Sequence, residues 1–130
     1  MIVKSIRTFL PSKDFEISKK FYLDLGFEVQ WSNDEMILFG CGDVNFFLQK
    51  YYNKEWAENL MLQMHVYDLE GLYQVCVSLK EKYEGVLLKP VFETDYGKTF
   101  HLIGPSGELW HMTEESGAIV EENKLICEDQ

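Results

Sequence analysis

The spacing of hydrophobic and polar positions changes several times along the chain, and each change marks an element. Residues 2–10 are rich in β-branched side chains and read as a strand, closed by Pro11 and Ser12. Asp14 is placed as a helix N-cap, with Glu16 in the first turn to complement the helix dipole. Phe15, Phe21, Tyr22 and Leu25, with the small Ser18 between them, make a helical stripe over 14–25, and Gly26 is placed to stop it. Residues 27–31 alternate strictly and predict a strand. Two more follow over 35–39 and 44–50, separated by turns at 32–34 and 40–43.

Residues 51–59 break the pattern and predict a connection with one helical turn. A strand over 60–67 leads to Asp68, a second N-cap, and to the stripe Leu69, Leu72, Tyr73, Cys76, Leu79 and Tyr83, closed by Gly85. A short strand over 86–89 runs into Pro90, an irregular stretch over 91–97, and a hairpin over 98–112 about Gly104, Pro105, Ser106 and Gly107. The order β-α-β-β-β thus occurs twice, in α+β modules over about 1–50 and 60–114 that make one domain over 1–114. The acidic stretch 115–130 reads as a loosely attached tail.

Composition narrows what such a domain can bind. With 130 residues and 46% hydrophobic content the chain can bury a real core, and 15% aromatics favour an aromatic interior or pocket. The net charge of −10 repels phosphate backbones and anionic lipid, so neither nucleic acid nor a membrane is expected as partner. It would draw in a cationic ligand, although acidic composition usually serves solubility. The three cysteines, Cys41, Cys76 and Cys127, are widely spaced and form no C-x-x-C, which removes zinc-knuckle and thioredoxin-type readings. Read as thiols they suggest a reducing compartment. With no signal-peptide pattern or membrane-length run, a soluble cytoplasmic protein is expected.

Two of the three histidines, His101 and His111, stand on opposite arms of the hairpin. If a loop over 104–107 sets Ile103 opposite Glu108, His101 pairs with Trp110 and Phe100 with His111. The two imidazoles then face opposite sides of the sheet and cannot share an ion. No Ser-His-Asp, Cys-His or phosphate-cradling pattern supports other chemistry.

Four segments together resemble the glyoxalase/bleomycin-resistance group of the vicinal oxygen chelate superfamily. They are residues 13–16 (Lys-Asp-Phe-Glu), 21–27 (Phe-Tyr-Leu-Asp-Leu-Gly-Phe), 66–73 (Val-Tyr-Asp-Leu-Glu-Gly-Leu-Tyr) and 100–110, which carries the x-Pro-x-Gly hairpin. Gly104 departs from the pattern, since an Asp more usually precedes that Pro. The resemblance implies two tandem βαβββ modules whose mixed sheet curls around a concave pocket, commonly completed by a second subunit. In metal-using relatives four inward positions hold His or Glu ligands, and these fall here on Arg7, Phe47, Met61 and His111. Arg is a permanent cation, Phe has no donor atom and Met suits soft metals, so metal-dependent glyoxalase or dioxygenase activity is disfavoured. No metal and no cofactor is expected.

Alternation from those positions puts Asn45, Phe47 and Gln49 on one inward face, Met61, Gln63 and His65 on another, and Leu109, His111 and Thr113 on a third, with Phe100 joining across the hairpin. Trp56 and Tyr96 would rim the pocket. The expected ligand-binding set is therefore Arg7, Phe47, Gln49, Trp56, Met61, Gln63, Tyr96, Phe100 and His111. Arg7 either anchors an acidic ligand or pairs with one of the many carboxylates. Val44, Phe46, Leu48, Leu62, Met64, Val66, His101, Trp110 and Met112 fall on the alternate faces and would pack beneath the helices. The expected function is small-molecule binding of the bleomycin-resistance kind, in a homodimer. The alternative is a superfamily enzyme, a thiol transferase or isomerase, using His111 or Glu108 as acid–base group.

Overall fold

A computed structural model of the chain describes residues 1–116. The first module runs β1 (Phe9–Pro11), α1 (Phe15–Leu25), β2 (Glu28–Ser32), β3 (Met36–Cys41) and β4 (Val44–Gln49). Its sheet has the order β1-β4-β3-β2, with β1 parallel to β4 and the other pairs antiparallel. After α2 (Lys54–Asn59) come β5 (Met61–His65), α3 (Leu69–Lys82), β6 (Leu87–Leu88), β7 (Phe92–Thr94), β8 (Gly97–Ile103) and β9 (Leu109–Glu115). The second sheet repeats the order as β5-β9-β8-β6, again with its opening strand parallel to its last, and β7 also pairs with β8. Each module thus returns its last strand beside its first. This is the α+β duplication the periodicity implies, with one mixed sheet to each module.

α1 begins and ends, and α3 begins, where the caps predict; α3 stops at Lys82, capped by Tyr83 and not by Gly85. Asp14 accepts from the Ile17 N–H and Asp68 from the Gly71 N–H. Gly26 closes α1 at φ +124°, donating back to the Tyr22 and Leu23 carbonyls, a conformation that a Cβ would strain. Phe21, Tyr22 and Leu25 of α1 and Leu69, Cys76 and Leu79 of α3 are buried in one core with Phe46, Leu48, Trp110 and Met112 from the two sheets. The helices also meet directly. The Phe21 and Tyr83 rings meet edge to face at 5.5 Å, and Asp24 accepts from Lys82 (2.7 Å) and Tyr83 (2.5 Å). Cys76 is a buried free thiol whose pKa burial pushes up to about 12, so it stays protonated and unreactive.

Four expectations need correction. The first strand spans only Phe9–Pro11; Ile2, Val3 and Ile6 are exposed, and a β-branched run without a half-buried pleat to fit makes no strand. The stretch 91–97 is not irregular throughout, because Phe92–Thr94 pairs with β8 as β7. The alternation in β2 is broken by a bulge between Val29 and Trp31, which brings Trp31 opposite Leu38.

The fourth concerns the hairpin, whose loop has five residues where four were expected. Ile103 pairs with Leu109, so His101 lies opposite His111 and Phe100 opposite Met112. The cause is Glu108, which folds inward instead of joining the ladder. Its carboxylate accepts from Tyr22 Oη (2.5 Å) and from the Ser106 N–H (2.8 Å), and Gly104 donates to its carbonyl. The acidic tail expected over 115–130 lies outside the described residues beyond Ser116. Among the described residues no helix is long and apolar enough to cross a membrane.

Candidate functional site

Each sheet buries one face against the helices and leaves the other open, and the open faces carry the unusual side chains. In module one the register sets Phe9, Phe47, Leu38 and Trp31 in a row across β1, β4, β3 and β2. Phe9 and Phe47 stack at 4.8 Å, and Trp31 meets Phe47 edge-on at 6.4 Å. The Arg7 guanidinium lies 5.8 Å from the Phe47 centroid and its Nε donates to Asn45 Oδ1 at 2.9 Å. Among the described residues Arg7 makes no ion pair. One step along β4, Gln49 sits between Pro11 and Met36, and its buried Oε1 has no hydrogen-bond partner among the described residues.

In module two the corresponding rows are polar. Gln63, His111 and His101 lie in line across β5, β9 and β8, and Lys89 follows, donating its backbone N–H to the His101 carbonyl. The His101 and His111 rings are 4.5 Å apart, with Phe92 5.3 Å from His101. Partial burial, and then the charges of His111 and Lys89, hold His101 below its ordinary pKa, so it is neutral at pH 7. The next row contains His65, Thr113 and Thr99. His65 Nδ1 pairs with the Glu115 carboxylate and its Nε2 meets Gln63 Oε1 at 2.7 Å. Gln63 reaches Thr113 at a long 3.4 Å, and Thr113 shares a hydrogen with Thr99 at 3.0 Å. On the other side Met61, Leu109, Ile103 and Leu87 form an apolar row.

The structure therefore brings Arg7, Phe47 and Gln49 together on one open face and Met61, Gln63 and His111 on the other. The register exchanges two residues between faces. Phe100 is fully buried in the core, edge-on to Tyr73 at 5.1 Å, because the five-residue loop shifts it to the Met112 side. His101, expected beneath the helices, is on the open face for the same reason. Trp56 packs on Tyr51 in the connection between modules, and Tyr96 is exposed at the β7–β8 turn, where its carbonyl accepts from Ser116. Trp31 joins the aromatic row only through the bulge, which the pattern of residues 27–31 does not reveal.

Glu108 has no access to a ligand. It is completely buried, and burial raises its pKa despite the opposing hydrogen bond from Tyr22, whose hydroxyl in turn accepts from Trp110 Nε1 at 3.0 Å. Its role is to join the modules, together with Ser106, whose hydroxyl accepts from the Lys13 N–H. The glycine at 104 follows directly, since a Cβ there would lie 2.6 Å from the Glu108 carboxyl carbon. The carboxyl group at this turn is thus supplied from position 108.

The four positions Arg7, Phe47, Met61 and His111 do not fit a divalent ion, because only His111 carries a suitable donor. Among the described residues no three or more His, Cys, Asp or Glu side chains are grouped to hold one. A cavity of about 270 Å³ lies elsewhere, at the β7–β8 turn and the end of β9, where Glu93, Asp95, Glu114 and Glu115 face Lys98. The open faces themselves are not enclosed: Phe9, Trp31, Met61 and Phe92 remain exposed.

No family model and no curated protein matches the sequence. Solved structures do match the fold. The bleomycin resistance determinant encoded on transposon Tn5 shares 19% identity at a TM-score of 0.72, over 87% of this chain and 98% of that one. The bleomycin-binding protein of Streptomyces verticillus, solved with copper(II)-bleomycin, shares 22% at 0.70, over 88% and 100%. The fosfomycin resistance protein of Listeria monocytogenes, solved with Mn(II) and sulfate, shares 14% at 0.70, over 90% and 94%. These neighbours are members of the vicinal oxygen chelate superfamily.

Proposed function

From a chain that carries the vicinal oxygen chelate fold, we propose a cytoplasmic protein that binds a small organic molecule on the aromatic row of module one. In this reading a second copy of the chain covers the ligand. The observation that carries it is Gln49 Oε1 beside Phe47, a buried acceptor without a partner among the described residues. An unsatisfied buried amide costs stability, and a ligand N–H or O–H would supply the missing bond. Phe9, Phe47 and Trp31 supply stacking area for a planar group, with few polar anchors, as small-molecule sites require. The neighbours that bind bleomycin support the same class of ligand. The exposure of Phe9 and Trp31 supports a covering second subunit. The net charge of −10 favours cations at long range, but Arg7 is the charge beside this row, so local recognition rests on stacking and hydrogen bonding.

The test is a thermal-shift screen of planar organic compounds against the wild type, Phe47→Ala and Gln49→Leu, with the assembly state followed by ultracentrifugation. A true ligand at about 100 times its Kd stabilises the wild type by roughly 2.7 kcal/mol and should do so far less in either variant. Equal shifts in all three proteins would remove the aromatic row from the site. The enzyme reading keeps one support, the solvent-reachable His111 opposite a neutral His101. Turnover of a hit compound that is lost in His111→Gln would establish it.

A further inference from the structure

The register of the β8–β9 hairpin sets two imidazoles side by side on the open surface, edge to face, and the distance between their centroids is that of two ligands on one metal ion. An imidazole nitrogen bound at about 2.0–2.1 Å puts its ring centroid about 3.2 Å from the ion, so two rings at square to tetrahedral angles stand about 4.5–5.2 Å apart. His101 and His111 stand 4.5 Å apart. The geometry points to a bidentate site formed by His101 and His111 for a borderline divalent ion, copper(II), nickel(II) or zinc(II), distinct from the four positions that hold metal in the superfamily. Only His111 is shared with that set; the second donor comes from β8.

The pair is well supported for this task. The strands that carry it are fixed from below by Phe100, Leu102, Trp110 and Met112, all buried, so the two backbones hold their separation. The rings cross at 79°, and the broad χ2 torsion of histidine lets each ring turn a nitrogen toward a shared ion. Both side chains are half-buried, reachable by an ion yet shielded on one side by Phe92. Gln63 stands beside His111 in the same row. Two nitrogens are fewer than the three protein ligands of a catalytic zinc, so the remaining positions belong to water or to donor atoms of a bound molecule. One neighbour opposes the ion: the Lys89 charge acts on His101, and a cation bound there would feel it.

The site is tested on the full chain with metal ions alone, which separates it from the organic-ligand reading. Copper(II) titration by calorimetry should show an equivalent whose electron paramagnetic resonance spectrum carries coupling to two imidazole nitrogens. Affinity should follow copper above nickel and zinc, and magnesium should not bind. His101→Phe and His111→Phe should each weaken copper binding on the order of 100-fold, because losing one arm forfeits the second, intramolecular attachment. Lys89→Met should strengthen it, and His65→Gln should leave it unchanged. Unaltered melting temperatures would show that the variants fold, and His101→Asn serves if the Phe variant does not. Copper bound equally by the wild type and both Phe variants, or lost on His65→Gln alone, would overturn the proposal.

Discussion

The two modules repeat each other where they are buried and differ where they are open. Phe9 and Gln63 each stand five residues ahead of the Asp that caps their module's helix, Asp14 and Asp68. Counting from them, the row Phe9, Phe47, Leu38 of module one corresponds to Gln63, His111, His101 of module two. One row is aromatic and apolar, the other amide and imidazole. Beneath them Phe46 and Leu48 correspond to Trp110 and Met112, all buried and all large. The shared core ties the buried faces to each other's volume, so they must stay apolar and close-packed. The open faces answer to no such constraint, and chemistry has diverged there without disturbing the fold.

The sharpest way to break this comparison is to damage equivalent buried positions. Trp110→Ala and Phe46→Ala should each cost about 3–5 kcal/mol in urea denaturation, the usual cost of emptying an aromatic site in a core. A much smaller loss at either position would mean that the modules do not share one core. Next comes the joint between them. Glu108→Ala leaves the Tyr22 hydroxyl and the Ser106 N–H without their acceptor and should cost about 2–3 kcal/mol.

The pH dependence of that joint has a definite sign. Glu108 has a folded pKa raised above its ordinary 4.5, so its contribution is fully present below 4.5 and is lost as pH rises through the folded value. On acidification from pH 7 towards 4.5 the wild type should therefore gain stability relative to Glu108→Gln. Melting curves with the opposite trend would mean that the ionised carboxylate is the favoured form. The smallest stability effect is expected on the open faces, where His111→Gln should change stability by no more than about 0.5 kcal/mol. A loss comparable to that of Trp110→Ala would show that the open row of module two is structural after all.

Much of this could be read along the chain because it is local. Asp14 and Asp68 cap helices through bonds spanning three residues, and Gly26 stops α1 within one turn. The alternation Val44 to Gln49 and Met61 to Val66 sorts residues onto two faces without reference to any partner. Gln49 and Gln63 fall on the faces of Phe47 and Met61 for that reason, while Arg7, Phe47, Met61 and His111 are inward positions that the family resemblance implies. Trp31 was not legible, since a bulge is a mismatch between two strands and is invisible in either one.

The sequence by itself determined the two βαβββ repeats, their helix N-caps, the stop of α1 at Gly26 and, at the positions the resemblance implies, the poor fit of Arg7, Phe47 and Met61 to a metal. Only the tertiary structure decided the hairpin's register, and with it the fate of Phe100, His101 and Glu108. A slip of one residue exchanges the two faces of a strand, and nothing within 98–112 distinguishes a four-residue loop from a five-residue one. The choice is made by a carboxyl group that turns inward to Tyr22, 86 residues away in the chain, on a helix of the other module.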